Sequence, residues 1–458
     1  MTTTVQTLAR FLHAYPPSPA LIQEVVIRVV LDVLGCASAG ASTDGGRAAV
    51  SAATVLWGRG DAPVWFSKTR LTAPGAAFVN SAYASMLDLD DGHRAAAGHP
   101  GAAVIPAVLA VAQARAIAPE RVLCAIAIGY EVGVRISAAR EFSHLRTTDS
   151  GLWCAYAVAA AIGWMVGLSP DLLAHAIAIA GTTGPGLEAA GRGAISSLVK
   201  EGIPFAVADG IVAVELAAAG YTGPLDILDA PDLYDARLIV DDLGAAWRIE
   251  GVYFKLFSCC RWAHAAIDGV LELQDRHGIE ASAIEAIEVA TFPRALVLGN
   301  QPSPESMEAA QYSIPFSVAL ALTRGPRALL PLRRDSLDDG ETVALAHRVR
   351  LSVDSEYENV FPGRVPAAVT IITAQDDFSA RIEAPAGDPA RPLSLDKLKW
   401  KFGILAAERM TQSASTELMT AVLRLPEDGV QPLAVALERG DAAADNAERR
   451  YPDMIALA

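Results

Sequence analysis

Apolar residues recur at three- and four-residue steps through most of positions 1 to 265. The runs VVIRVVLDVLGCASAG, GAAVIPAVLAVAQARA, RVLCAIAIGYEVGVRISAA, AYAVAAAIGWMVGL, DLLAHAIAIAG and PFAVADGIVAVELAAAG all show it. That period stacks apolar side chains along one helix face, so each run predicts a helix. Turns with Gly, Ser or Pro divide them. Ser169, Pro170 and Asp171 supply a capping residue and then Pro in the first helical turn. The many alanines and glycines allow close helix packing, and APVWF at 62–66 predicts a short strand within the helical run.

The period changes after about residue 275. AIEAIEVATFP, HRVRLSVD, AAVTIITAQ and FSARIEAP alternate in part, as strands do, and VTIITAQDDFSARIE predicts a hairpin turning at Asp376 and Asp377. YSIPFSVALALTRG between them predicts a helix, and SLDKLKWKFGILAAERM from about 393 returns to helical spacing. The pattern as a whole predicts a mainly α chain. A large helical domain spans 1–268, a smaller α+β domain 269–392, and the C-terminal helices of 393–458 rejoin the helical domain. No internal repeat or low-complexity tail is visible.

Composition narrows the function classes. The chain has 458 residues and a net charge of -15. That balance argues against nucleic acid and anionic membrane as partners, where Lys and Arg should dominate. It leaves room for an anionic small molecule in a local cationic pocket. The five cysteines, Cys36, Cys124, Cys154, Cys259 and Cys260, have no CxxC spacing and read as reduced thiols of a cytoplasmic protein. The first residues, MTTTVQTLARFLHAYPPSPA, lack the continuous apolar stretch of a secretory signal. Ser150 to Pro170 carries no charge and is long enough to span a membrane. Its Ala and Gly content matches the neighbouring helices, so a helix packed on all sides is the expectation.

Against this apolar background, LDLDDGHRAAAGHPG at 87–101 gathers Asp90, Asp91, His93 and His99. These are metal-ligand types, and equally an acid–base cluster or a capped loop. Lys255 lies among aromatic and apolar neighbours in VYFKLFSCCRWAHAAID, where a desolvated ammonium needs an anion. Arg261, nearby, is a carboxylate clamp or a surface residue. His264 falls at the start of a predicted helix, whose dipole would lower its pKa. Cys259 and Cys260 read as buried thiols, since adjacent cysteines rarely bridge. Taken alone, Lys200 reads as a solvated lysine and Tyr312 as a core aromatic or a site residue.

LDLDDGHRAAAGHPGAAVIPAVLA resembles the MmgE/PrpD family, whose members include dehydratases, decarboxylases and an epimerase of small carboxylic acids. IGYEVGVRIS (128–137), AAAGYTGPLDIL (217–228), YFKLFSCCRWAHAAID (253–268), AAQYSIPFSVALAL (309–322) and APAGDPARPLSLDKLKWKF (384–402) match in the same order. The resemblance implies a homodimer with the α+β domain as a lid, and an active site between the domains that uses neither cofactor nor metal. It implies a catalytic aspartate at Asp90 or Asp91, a catalytic histidine at His99 with His93 as a further candidate, and an active-site tyrosine at Tyr312. It implies that Lys200 pairs with a substrate carboxylate, although the loop after it departs from the usual Gly-Asn-Ala-Ala pattern.

A second departure bears on mechanism. Lyase members usually carry a histidine in a Gly-Trp/Phe-His-Pro/Ala-Thr stretch. Here LRTTDSGLWCAYA offers Thr147, Thr148 and Asp149, with His144 a few residues early. The expected chemistry is proton abstraction next to a carboxylate. Lys200, Lys255, Arg261 and His264 hold the small-molecule acid, and a base comes from the aspartate–histidine cluster. Three readings stay open: a dehydratase or decarboxylase, an isomerase or epimerase of a dicarboxylate, and a non-catalytic binding protein on the same fold.

Overall fold

The computed structural model describes residues 2–184 and 197–439. Helices dominate its first part: α1 (Pro19–Gly40), α2 (Ala73–Ser85), α3 (Gly101–Arg115), α4 (Pro119–Ala138), α5 (Gly151–Met165), α6 (Pro170–Thr183) and α7 (Ile203–Ala218). α2, α3 and α5 are apolar all round and buried along nearly their whole length. A helix without a polar face must be covered on every side. α5 accordingly packs against α3, α4, α6 and α7. The uncharged stretch at 150–170 is thus a central helix and its exit turn. Among the described residues no helix is long and apolar enough to cross a membrane. The cap expected before α6 forms, with the Ser169 side chain accepting from the Leu172 N–H. The strand expected at 62–66 forms slightly earlier, at Arg59–Pro63, against Arg70–Leu71.

Two very short strands matter more than their length suggests. β1 (Gly92–His93) pairs antiparallel with β2 (Val252–Tyr253). They are the seam that brings the loop at 87–101 to the segment at 253–268. Beyond the seam, α8 (Arg261–His277) leads into a four-stranded sheet of order β4-β3-β5-β6: β3 (Ile284–Thr291), β4 (Val349–Val353), β5 (Ala367–Thr373) and β6 (Asp377–Ile382). β3 and β4 run parallel; the other pairs are antiparallel. β3 buries Ile284, Ile287 and Val289 and exposes Glu285 and Glu288. α8 covers the sheet at β5 and β6 and also packs on α9 (Ile314–Arg324), so one helix straddles position 268. The hairpin β5–β6 turns just before Asp377.

α10 (Leu395–Ala406) returns to pack along α1. Its buried Lys401 donates to Asp32 Oδ1 of α1 at 2.6 Å and to the Leu89 carbonyl at 2.8 Å. The chain's last described part therefore anchors the loop that carries the clustered aspartates. The molecule is a mainly α protein with a helical lobe and a smaller α+β lobe.

Candidate active site

The loop after α2 owes its shape to local strain and to the seam. Asp88 sits in the left-handed region, with φ of 48°. A non-glycine residue holds that conformation only where its surroundings impose it. Pairing of Gly92 with Tyr253 then carries Lys255 back toward the loop. Its ammonium lies 2.7 Å from Asp88 Oδ1, both groups fully buried. The anion that a buried Lys255 requires is therefore supplied by the protein itself.

His99 completes the cluster from the start of α3. Its backbone N–H donates to Ser150 Oγ at 2.9 Å. Its Nδ1 is 3.0 Å from the Asp91 carbonyl oxygen and 3.3 Å from Asp90 Oδ2, while Nε2 is 3.3 Å from Asp88 Oδ1. Two glycines permit this crowding. A Cβ at Gly98 would meet Ser150 Oγ at 2.4 Å, and one at Gly101 would meet Asp91 Oδ1 at 1.9 Å. Burial pushes the imidazole down, but the charge and hydrogen bond of Asp90, with Glu201 adding to them, raise its pKa overall to about 9. The Asp88 and Asp90 carboxylates thus favour the imidazolium form of His99. Burial likewise pushes Asp88 up, and Lys255, His99 and Lys200 together bring it below the usual carboxylate range.

The other wall comes from the turn before α7 and the segment before α9. Lys200, Glu201 and Gly202 are consecutive left-handed residues, with φ of 48°, 57° and 71°. The turn points Lys200 Nζ to Gln311 Oε1 at 2.6 Å, with the Tyr312 ring centroid 5.6 Å away. Glu201 Oε2 accepts from the Ser150 N–H and hydroxyl at 3.0 and 2.7 Å, and its Oε1 accepts from the Tyr312 hydroxyl at 3.3 Å. Burial and the nearby Asp88 push the Tyr312 phenol well up, so it stays a donor.

His99, Asp149, Glu201, Tyr312 and Arg261 line one tight cavity of about 50 Å³ between the lobes. Arg261 spans to the smaller lobe, donating to the carbonyls of Ala386 and Pro385 at 2.9 and 3.1 Å. A larger cavity of about 630 Å³ lies on the far side of Gln311. No imidazole lines it, and two of its arginines are paired locally, Arg47 with Asp44 and Arg333 with Glu408. Chemistry outweighs volume here, and the tight cavity is the candidate site.

Not every expected residue reaches that cavity. Asp91 lies behind the loop, where the Tyr130 hydroxyl donates to it at 2.7 Å; burial and Asp32 push its carboxyl far up. The His93 ring packs against Gly251, and burial with Arg248 lowers its pKa to about 4. His264 does lie in the first turn of α8, but burial, then Arg261 and Lys255, lower its pKa well below 6.5. Its Nε2 sits 3.3 Å from the Cys259 carbonyl. Lys200 touches Tyr312 from outside the cavity, and Lys255 faces Asp88. Cys260 lines the cavity as a thiol, pushed up by burial and Asp88. His144 is exposed, whereas Thr148 and Asp149 line the cavity. Three acidic residues absent from the sequence-derived set belong to the site: Asp88, Asp149 and Glu201. The signals were present, since each adjoins or lies within a motif already singled out.

Asp88, Asp90 and His99 bring three ligand-type atoms within 4.8 Å of one another. The Lys255 ammonium already occupies Asp88, so a cation there would meet a resident positive charge. The residues fit an ion network better than a metal.

Comparison with known proteins agrees with this architecture. Residues 6–242 match the MmgE/PrpD N-terminal domain, and residues 257–425 match the MmgE/PrpD C-terminal domain. The chain is 26% identical over 445 residues to a cis-aconitate decarboxylase of Aspergillus terreus, covering 89% of each chain. It is 24% identical over 456 residues to a cis-aconitate decarboxylase of Mus musculus, covering 92% of this chain and 90% of the relative. With both domain matches in order and a charged cavity where the lobes meet, the chain belongs to the MmgE/PrpD family.

Proposed function

We propose that this chain is a lyase acting on a small di- or tricarboxylic acid, breaking a bond next to a carboxylate with its own side chains as the proton-transfer groups. The observation that carries the reading is His99, buried between Asp88 and Asp90 and lining the same cavity as Arg261 and Tyr312. Cleavage of a carbon–carboxylate bond releases CO2 and leaves an electron pair on carbon, which a proton then quenches. A fixed cation in a dry cavity favours that developing charge. Arg261, which lines the cavity, is the group to hold a substrate carboxylate. Lys255, neutralised by Asp88, keeps the network poised. Decarboxylation is the preferred reaction, because His99 rests as a cation and the named relatives are cis-aconitate decarboxylases.

Small-molecule sites usually measure about 300–1,000 Å³. The cavity is far smaller, so substrate entry requires the lobes to part. A dicarboxylate isomerase is the second reading, favoured by the missing histidine at Thr147–Asp149. Proton NMR in D2O with a panel of di- and tricarboxylates, cis-aconitate and citrate-like acids among them, tests both. New product signals with loss of substrate establish the lyase. Deuterium uptake without substrate loss establishes the isomerase. A panel left wholly unchanged overturns both.

A further inference from the structure

Asp149 is the group in this cavity whose chemistry the resting ion network does not absorb. It is 2% exposed. Its Oδ1 accepts from the Thr147 hydroxyl, and its Oδ2 is buried with no hydrogen-bond partner among the described residues. Glu201, lining the same cavity, is different. Its two oxygens accept from the Ser150 N–H, the Ser150 hydroxyl and the Tyr312 hydroxyl. Three donors hold the Glu201 side chain in place. A second buried acidic group beside it is pushed toward its protonated form.

We propose that Asp149 is the catalytic acid of this site, with Glu201 as the positioning residue that keeps it protonated. The proposal rests on the lyase reading above and names the proton donor it lacks. As the carbon–carboxylate bond breaks, its electron pair stays on carbon and CO2 departs. The Asp149 O–H proton goes to that carbon, or to the far carbon of a conjugated double bond, leaving Asp149 as carboxylate. Solvent returns the proton when the lobes part. His99 keeps its own proton throughout and serves as the fixed positive charge. The shifts support this division: burial and then Glu201 raise Asp149 to about 7, close to working pH, while His99 is raised to about 9. The charged groups around Asp149 are Glu201 and Arg140, with Arg94, His99 and Arg261 also along the cavity.

Four measurements test it. Asp149→Asn should lower kcat by about 10²–10⁴-fold with little change in KM. The wild-type kcat should fall as pH rises through about 7, and that limb should be absent in Asp149→Asn. Glu201→Gln should shift the limb to lower pH, because the charge that raises Asp149 is gone. Near-wild-type kcat in Asp149→Asn, or an unchanged limb in either variant, overturns the proposal. A ¹³C-carboxyl NMR titration of the wild-type protein separates this from the parent reading. A midpoint near 7 that drops in Glu201→Gln supports the acid pair even if no carboxylate is turned over, and a midpoint in the ordinary aspartate range overturns it.

Discussion

Two buried lysine–aspartate pairs flank the loop at 87–93, and they do different work. Lys401 meets Asp32 at 2.6 Å, and Lys255 meets Asp88 at 2.7 Å. Burial opposes the charge on each lysine, and the partner aspartate restores it. The distances and burial are nearly the same. What differs is the third group. Lys401 spends its remaining donor capacity on the Leu89 carbonyl, so its pair ties α10, α1 and the loop together. Asp88 shares the same oxygen, Oδ1, with His99, which lines the cavity. A buried ion pair is thus no mark of catalysis by itself. The neighbour that shares its charge decides whether it holds structure or conditions a reactive group.

The comparison breaks first at Lys401. Lys401→Met should cost about 3–5 kcal/mol of stability, because Asp32 is left buried and unpaired. Adding Asp32→Leu should recover much of it, measured by urea unfolding. The mirror experiment should behave differently. Lys255→Met with Asp88→Leu should fold as well by the same logic of paired removal, yet turnover should stay low, since His99 has lost a partner.

Next in size is His99 itself. His99→Gln should lower kcat by about 10²–10³-fold, the usual loss when a preorganised donor to developing charge is removed. Steady-state kinetics on whichever acid the panel identifies would show it.

A comparable effect belongs to pH. His99 has a folded pKa of about 9 against an ordinary 6.5, so its contribution is complete below about pH 6.5 and is lost as pH rises through 9. The loss should be on the order of 3 kcal/mol. Asp88 is depressed, so its contribution holds above its ordinary value and vanishes in acid. Asp90→Asn should flatten the alkaline part of the stability profile, followed by denaturant midpoints at several pH values.

Smallest is Tyr312→Phe. It removes one donor to Glu201 at 3.3 Å and should cost about 1 kcal/mol, near tenfold or less in kcat.

Much of the fold was legible because helix period and strand alternation are local. The buried α5, the Ser169 cap, the hairpin and the return of α10 to the helical lobe follow from spacing. The site was legible only in part. His99, Arg261 and Tyr312 reach the cavity, but the meeting of Asp88 and Lys255 spans 167 positions. It depends on two-residue strands that no period reveals. The left-handed turn at Lys200 and Glu201 was equally hidden, since neither residue favours that conformation. His93 and Asp91 have the right chemistry, yet register turns one against Gly251 and the other toward Tyr130. Sequence shows which groups are available, and long-range pairing decides which of them share a cavity.

The most direct test is a ¹⁵N-imidazole NMR titration of the resting protein, with the His99 signal assigned through His99→Gln. The expected midpoint lies near pH 9 and falls in Asp90→Asn. A His99 midpoint at or below 6.5 in the wild type would contradict it, because the cavity would then hold a neutral base in place of a fixed cation.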